Sequence, residues 1–271
     1  MLRMRQGRSP PPLRRVILTS MTTFKDHFSG HAGDYRAFRP LYPAALADAL
    51  ADAAPAHGLA WDVGCGNGQL SVDLARRFAR VIATDASAPQ IEAATPHERV
   101  EYRVAPAESG GLPDASADLI VAAQAAHWFD LPAFYAEVRR AARPGAALAL
   151  VTYGAIEAED AALRTALRAF HDDTLGPWWP AERAHVGTGY RSLDFPFPER
   201  PASPLAMEAR WTLPQVLGYL DTWSSVKAWI KAEGGDPVAG FGREIAPLWG
   251  DPEQARLILW PLAIRLGRVE G

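Results

Sequence analysis

The residues that could do chemistry gather in one stretch, Leu59-Ala-Trp-Asp-Val-Gly-Cys-Gly-Asn-Gly-Gln-Leu-Ser71. A short apolar run ends on Asp62. Gly64, Gly66 and Gly68 then alternate with Cys65 and Asn67, and a helix-like segment opens near Gln69. This pattern describes a strand that turns tightly into a helix, with side chains removed where a ligand must meet backbone. Three ligand classes compete for such a turn. A phosphate-cradling P-loop needs a Gly-Lys-Ser/Thr ending, and none is present. A dinucleotide fingerprint would place its third glycine where Gln69 stands, which weakens the case for tight pyrophosphate packing. The alternation starting at Asp62 fits instead a ligand with a bulky amino acid portion and an adenosine. Asp62 would address its ammonium group, or else tie the turn to neighbouring amides. Asp85, which ends the next strand, would accept from both ribose hydroxyls.

The elements that must position these residues alternate in type. A helix over 44–57 precedes strands at 59–62, 81–84, 100–104, 118–123 and 146–153. Helical segments at 71–78, 87–94 and 131–142 lie between them. The fifth strand is apolar throughout, as expected when both faces of a sheet are covered. Strands alternating with helices imply a parallel sheet, whose ligands sit beyond the carboxyl ends of the strands. The glycine turn, Asp85, Glu108 and the segment Gln124–Asp130 all follow strands, so topology alone brings them together.

Beyond residue 153 the rhythm changes. An amphipathic helix is expected over 157–172, an irregular stretch from Trp178-Trp179-Pro180 to Pro204, a strand at 207–212, and helices at 213–223 and 226–233. A helix-to-strand pair is expected over 254–269, with 258–266 its apolar part. Seven of the nine tryptophans follow residue 153. They form either a cap over a small-molecule cavity, with Trp179 facing substrate, or a satellite core of large rings.

Composition narrows the field. At 271 residues with 48% hydrophobic content, the chain can build a sizeable core. Cys65 is the single cysteine, so no intrachain disulfide or cysteine-rich metal site can form. The remaining histidines lack metal-ligand spacing, and no metal is expected. No apolar run reaches membrane-spanning length, and the expected compartment is the cytoplasm. Residues 1–20 carry five arginines, no acid and Pro10-Pro11-Pro12, and are expected to be a disordered extension, with Met21 a candidate true start. Taking those five charges away moves the formal charge from −3 to −8, which argues against a nucleic-acid partner. The fourth-strand segment also lacks the Asn/Asp-Pro-Pro-aromatic pattern of base amino-methylating enzymes.

With Asp85, the Ala107-Glu108 step and Asp118-Leu-Ile-Val-Ala-Ala-Gln124, the glycine motif resembles the class I S-adenosylmethionine-dependent methyltransferases over roughly residues 30–153. The resemblance implies a Rossmann-like, seven-stranded, mostly parallel sheet with helices on both faces and a last antiparallel strand near 258–266. It implies S-adenosylmethionine as cofactor and S-adenosylhomocysteine as product. By motif position Gly64, Gly66 and Gly68 would line the methionine side, Asp85 would hold the ribose, and Ala86 would lie beside the adenine. Ala107 and Glu108 would flank the adenine amino group, and Gln124 would sit near the methionine backbone. Cys65 reads as a small packing residue beside the cofactor rather than a nucleophile. A narrower resemblance, to the group around trans-aconitate methyltransferase, rests on Tyr35…Arg39-Pro40-x-Tyr42-Pro43, Gln124-Ala-Ala-His127-Trp128-Phe129-Asp130 and Gly189-Tyr190…Phe195-Pro196-Phe197.

The expected organisation is an extension at 1–20 and a mobile flap and helix at 21–57. A cofactor-binding core spans 58–153, a cap or substrate insertion 154–205, and the completion of sheet and cap 206–271. The expected activity is methyl transfer to a small-molecule acceptor, at a carboxylate or hydroxyl oxygen. Tyr35 and Arg39 would close over the site from the flap. His127 would serve as general base for a hydroxyl or, with Trp128, merely shape the cavity. A nicotinamide-dependent oxidoreductase and a catalytically inactive cofactor-binding regulator are the alternatives.

Overall fold

The computed structural model describes residues 40–270. The expected N-terminal extension and flap, with Tyr35 and Arg39, lie outside the described residues. Helix α1 (Ala44–Ala53) leads into β1 (Leu59–Val63), α2 (Gln69–Leu74), β2 (Arg80–Asp85), α3 (Ala88–Glu92), β3 (Val100–Val104), β4 (Ala117–Ala123), α4 (Leu131–Ala141) and β5 (Ala142–Tyr153). The five strands are parallel in the order β3-β2-β1-β4-β5. The strand order therefore reverses beside β1, where an open sheet of this kind leaves a crevice at its carboxyl edge.

Side-chain alternation explains why the sheet is covered on both sides. Trp61, Val63, Ile120, Ala122, Leu148 and Leu150 belong to one buried cluster, which includes Phe134 and Val138 of α4. The intervening Ala60, Leu119, Val121, Ala147, Ala149 and Val151 belong to another, with Leu46 and Leu50 of α1 and Leu70 and Leu74 of α2. Two polar groups fix the register of β1. The fully buried Asp118 accepts from Gly58 N (2.8 Å) and Leu59 N (3.0 Å). On the next strand Thr84 Oγ1 accepts from Trp61 Nε1 at 2.9 Å.

The remaining elements are β6 (Glu157–Ala158), α5 (Ala161–Ala169), a π-helical turn (Phe170–Thr174), α6 (Ala184–Gly187), β7 (Glu199–Arg200), β8 (Leu205–Trp211), α7 (Leu213–Asp221), α8 (Ser224–Glu233), α9 (Pro237–Trp249) and β9 (Arg256–Arg268). The expected antiparallel strand is β9, which pairs with β5 from Ala147↔Arg268 to Tyr153↔Leu262. Strands β6, β7 and β8 pair with β9, and seven strands among the described residues run five residues or longer. Helices α5, α7, α8 and α9 enclose a third cluster rich in rings, including Trp223, Trp249 and Trp260. No helix among the described residues is long and apolar enough to cross a membrane.

The structure corrects several boundaries. Residues 254–269 hold one long strand rather than a helix-to-strand pair. The helix is α9, whose Gly240, Gly242 and Pro247 conceal it from a propensity reading. The expected helix over 157–172 opens as the two-residue strand β6, and helical geometry begins only after Asp160, whose carboxylate caps Leu163 N at 2.9 Å. Its end widens into the π turn. The first helix stops at Ala53, the second at Leu74, and β5 begins at Ala142, before Pro144-Gly145, through a bulge against β4.

Candidate active site

Geometry at the glycine turn follows from strand ends held side by side. Gly64 N and Cys65 N both donate to Thr84 O of β2, at 2.7 and 3.0 Å. Asp85, the last residue of β2, accepts from Gly66 N through Oδ2 and from Ser87 N through Oδ1, each at 2.8 Å. One carboxylate thus ties the first turn to the second. Gly64, Gly66 and Gly68 all have positive φ, at 67°, 55° and 82°. At Gly68 a Cβ would lie 2.2 Å from Tyr102 Oη, so this glycine serves packing as well as conformation. Among the described residues the nearest neighbour at Gly66 would be Gln90 Oε1 at 3.8 Å, so none of them closes its Cα face. That opening, bordered by Asp85, is what a ligand reading the turn through backbone requires.

Asp62 lies beneath the turn, 1% exposed, with Ser71 Oγ donating to its Oδ2 at 2.6 Å. Burial raises its carboxyl to about 7; the Ser71 hydroxyl opposes the shift and Asp85 adds to it. A nearby cation would restore the charged form. Cys65 is half-buried, and burial, reinforced by Asp62 and Asp85, pushes its thiol well above the usual range. It stays a neutral packing group.

The other expected ligand contacts surround the same edge. Ala86 is half-buried just after β2, and Ala107 is buried in the loop after β3. Glu108 Oε1 accepts from Asp130 N at 2.9 Å, which tethers that loop to the start of α4. Gln124 adopts a left-handed backbone (φ 56°), and its side chain turns to β5: Nε2 donates to Tyr153 O at 3.0 Å, and Thr152 Oγ1 donates to Oε1. The segment after β4 also abuts the cradle, because a Cβ on Gly64 would meet Ala125 Cβ at 2.5 Å and Phe129 at 3.3 Å.

Behind this segment His127 is buried, with Nδ1 2.7 Å from Tyr190 Oη. Burial drives its pKa down to about 3, and the neighbouring Arg183 and His185 act in the same direction. His127 is therefore a neutral ring packed between Trp128 (centroids 4.7 Å) and Tyr190 (5.8 Å). So low a basicity leaves little driving force for taking a proton at neutral pH.

A cavity of about 330 Å³ opens beyond the carboxyl end of β5, lined by Gly154, His171, Trp179, Pro180, Arg183 and Val186, among others. The turn Ala181–Arg183 that forms one wall contacts the turn Ala126–Trp128 that follows β4. Trp179 organises this wall. Its Nε1 donates to His171 O at 3.2 Å, the His171 ring packs on it at 4.9 Å, and Arg183 Cζ lies 4.2 Å over its ring.

Cradle and cavity thus share the carboxyl edge of a sheet whose strand order reverses at β1. A methyltransferase-domain family model matches residues 61–150, from β1 to within β5. A protein of Dictyostelium discoideum named as a methyltransferase is 34% identical over 218 residues, 78% of this chain and 81% of that protein. A solved structure from Anaeromyxobacter dehalogenans described as a type II methyltransferase is 50% identical, with a TM-score of 0.82 over 86% of this chain and 99% of that one. The chain belongs to the class I methyltransferases. A malonyl-[acyl-carrier protein] O-methyltransferase of Dechloromonas aromatica is 38% identical over 112 residues, 40% of this chain and 41% of that relative. Transfer of a methyl group from an S-adenosylmethionine-type donor is the activity of this family, and none of these matches speaks for the nicotinamide alternative.

The methyltransferase brings Asp62, the three glycines, Cys65 and Asp85 to one turn, with Ala86, Ala107, Glu108 and Gln124 on the loops beside it. His127 and Trp128 stand on the segment beside that turn, and of the expected substrate residues among the described ones Trp179 lines the cavity and Trp128 does not. Three groups at or near the cavity escape the sequence reading: His171, Asp172 and Arg183. His171 and Asp172 sit where an amphipathic helix is running out, so their polarity reads as a solvated end. The π turn that rotates them has no compositional signal.

Proposed function

We propose that this methyltransferase moves a methyl group from S-adenosylmethionine to an oxygen, carboxylate or hydroxyl, of a small-molecule acceptor seated in the cavity beyond β5. The observation that carries the reading is the Gly66–Asp85 cradle, an open-faced glycine turn fastened to a carboxylate at the end of β2. Gly64, Gly66 and Gly68 would meet the methionine portion through backbone. Asp62 would balance its ammonium group. Asp85 would take the ribose from the carboxyl end of β2, where its carboxylate already fastens the glycine turn. Ala86, Ala107 and Glu108 would border the adenine.

When bound, the donor supplies an electrophilic methyl carbon on a positively charged sulfur. The protein's tasks are to align the acceptor and exclude water, which is how such a displacement gains most of its rate. The segment 124–129 would do this as a wall of the cradle, with His127 and Trp128 in the turn that contacts the cavity-lining turn Ala181–Arg183. Gln124, held to Thr152 and Tyr153, fixes the geometry of that wall. A small-molecule acceptor is supported by a cavity near the lower end of the range for such sites, roughly 300–1,000 Å³. Oxygen as the target is supported by the O-methyltransferase relative and by the narrower resemblance to the trans-aconitate methyltransferase group.

The test is incubation with methyl-labelled S-adenosylmethionine and a panel of small carboxylates, alcohols and phenols, reading the label in the product. Label on oxygen that disappears in Asp85→Ala supports the reading. Label on nitrogen or carbon alone, or none with any acceptor, contradicts it.

A further inference from the structure

Three residues other than glycine have positive φ among the described ones: Ala115, Gln124 and Tyr190. For a ring as large as tyrosine's a φ of 64° is strained, and such strain persists only where the surroundings impose it. Two of the three, Gln124 and Tyr190, stand on one buried hydrogen-bond path. Tyr190 is fully buried, and its Oη lies 2.7 Å from His127 Nδ1. The same hydroxyl is hydrogen-bonded to the Thr152 side chain and faces the backbone of Ala126 and His127. Thr152, also fully buried, donates through Oγ1 to Gln124 Oε1, and Gln124 Nε2 donates to Tyr153 O at 3.0 Å. One phenol hydroxyl thus holds residues 126 and 127 directly and residue 124 through Thr152. Between them lies Ala125, the residue that a Cβ on Gly64 would meet at 2.5 Å.

The backbone of Tyr190 is fixed from the other side. Its N–H donates to His185 O at 2.9 Å, at the end of α6, whose Ala184, Val186 and Gly187 line the cavity. Its carbonyl accepts from Arg265 Nη1 of β9 at 2.9 Å, and Arg265 also pairs with Glu199 of β7. Gly189, at φ 60°, leaves no room for a side chain, since a Cβ there would lie 2.8 Å from Ala263 Cβ of β9. The strained pair is pinned to β9 by its backbone while its ring reaches the carboxyl ends of β4 and β5.

We propose that Tyr190 is a positioning residue for methyl transfer: its hydroxyl sets the segment after β4 against Gly64, and its backbone refers the cavity wall to the same anchor. It acts through residues 124–127 and not by contact with the donor. This rests on the reading of the glycine turn as the donor site. An in-line displacement needs such a common reference, because about 1 Å of misplacement costs roughly a hundredfold in rate.

The test uses the whole chain and sets Tyr190→Phe and Thr152→Val beside Tyr135→Phe. Tyr135 is buried in the same cluster, but its hydroxyl donates to Asp194 O at 2.6 Å and not to this path. Calorimetry at a temperature where every variant is folded is expected to show S-adenosylhomocysteine affinity about fivefold weaker in Tyr190→Phe and in Thr152→Val, the value of one lost hydrogen bond. The double variant is expected to lose no more than about the larger single loss, because both hydroxyls act along one path. In the unliganded protein, hydrogen exchange is expected to rise at least about fivefold in Tyr190→Phe at the amides of Gln124 and Trp128, which donate to Val151 O and Ala125 O. Tyr135→Phe is expected to lower the melting temperature and to change neither affinity nor exchange at these amides. Thr152→Val keeps the side chain's shape and carries the comparison even where Tyr190→Phe fails to fold. Unchanged donor affinity in the folded variants, losses that add in the double variant, or an equal loss in Tyr135→Phe would each overturn the proposal. A parent chain that binds no S-adenosylhomocysteine would instead overturn the donor reading, and the proposal with it.

Discussion

Asp85 Oδ2 accepts from Gly66 N at 2.8 Å, joining the end of β2 to the middle of the glycine turn. With Ser87 N on Oδ1, this one carboxylate organises two loops at once. Asp85→Ala is expected to lower S-adenosylhomocysteine affinity by roughly tenfold to hundredfold, the value of hydrogen bonds to a charged group. Calorimetry checks this, and unchanged affinity would remove Asp85 from the site.

The glycines should separate by role. Gly66→Ala meets no close neighbour among the described residues but strains a positive φ, at about 1–2 kcal/mol, so its melting temperature should fall only a few degrees. Its Cβ enters the open face, so donor affinity should fall at least about tenfold. Gly68→Ala drives a Cβ onto Tyr102, whose hydroxyl is anchored to Thr95 O at 2.7 Å, and should lose more stability than Gly66→Ala. Thermal melts alongside calorimetry would show this order or its reverse.

Asp62 makes donor binding depend on pH. Its carboxyl is raised to about 7, while an ammonium ligand needs it ionised. Affinity for S-adenosylhomocysteine should therefore weaken as pH falls below 7, approaching about tenfold per pH unit, and Asp62→Asn should flatten that dependence. Without ligand the sign reverses. A folded-state pKa above the unfolded value contributes stability that is full below about 3.8 and drains away as pH rises to about 7, so Asp62→Asn should melt higher than the parent at pH 8 and by a smaller margin at pH 5.

His127 acts in the opposite sense. Its folded pKa of about 3 lies below its ordinary 6.5, so protons bind preferentially to the unfolded chain between those values. Stability should be full above pH 6.5 and drain away towards pH 3. His127→Gln, which can still hydrogen-bond Tyr190, should lose less stability than the parent on acidification from pH 6.5 to 4 in thermal melts.

What was legible in the chain follows from how local each signal is. The cradle was, because a strand end, a glycine alternation and an acid at the next strand end are contiguous and each has one physical meaning. The parallel sheet was legible for the same reason: β4 and β5 are apolar runs of the right length, and β9 shows as an apolar stretch at 258–266. Helix α9 was not, because its glycines and Pro247 oppose its own propensity, and burial of Phe241, Ile245 and Trp249 holds it in place. The cavity was not legible either. Trp179 could be singled out as a large ring, but its grouping with His171 and Arg183 depends on a π turn and on a wall folded back against residues 126–128. Similarly, the low basicity of His127 arises from burial beside Tyr190, sixty-three positions away in the chain.

The central claim is that the turn between β1 and α2 holds the methionine end of a methyl donor. Calorimetric titration with S-adenosylhomocysteine, set beside NAD under the same conditions, tests it most directly. The account predicts one site per chain for S-adenosylhomocysteine, weakened in Asp85→Ala and Gly66→Ala, with no measurable heat from NAD. Binding of NAD through the same residues, or S-adenosylhomocysteine binding that both substitutions leave intact, would contradict it.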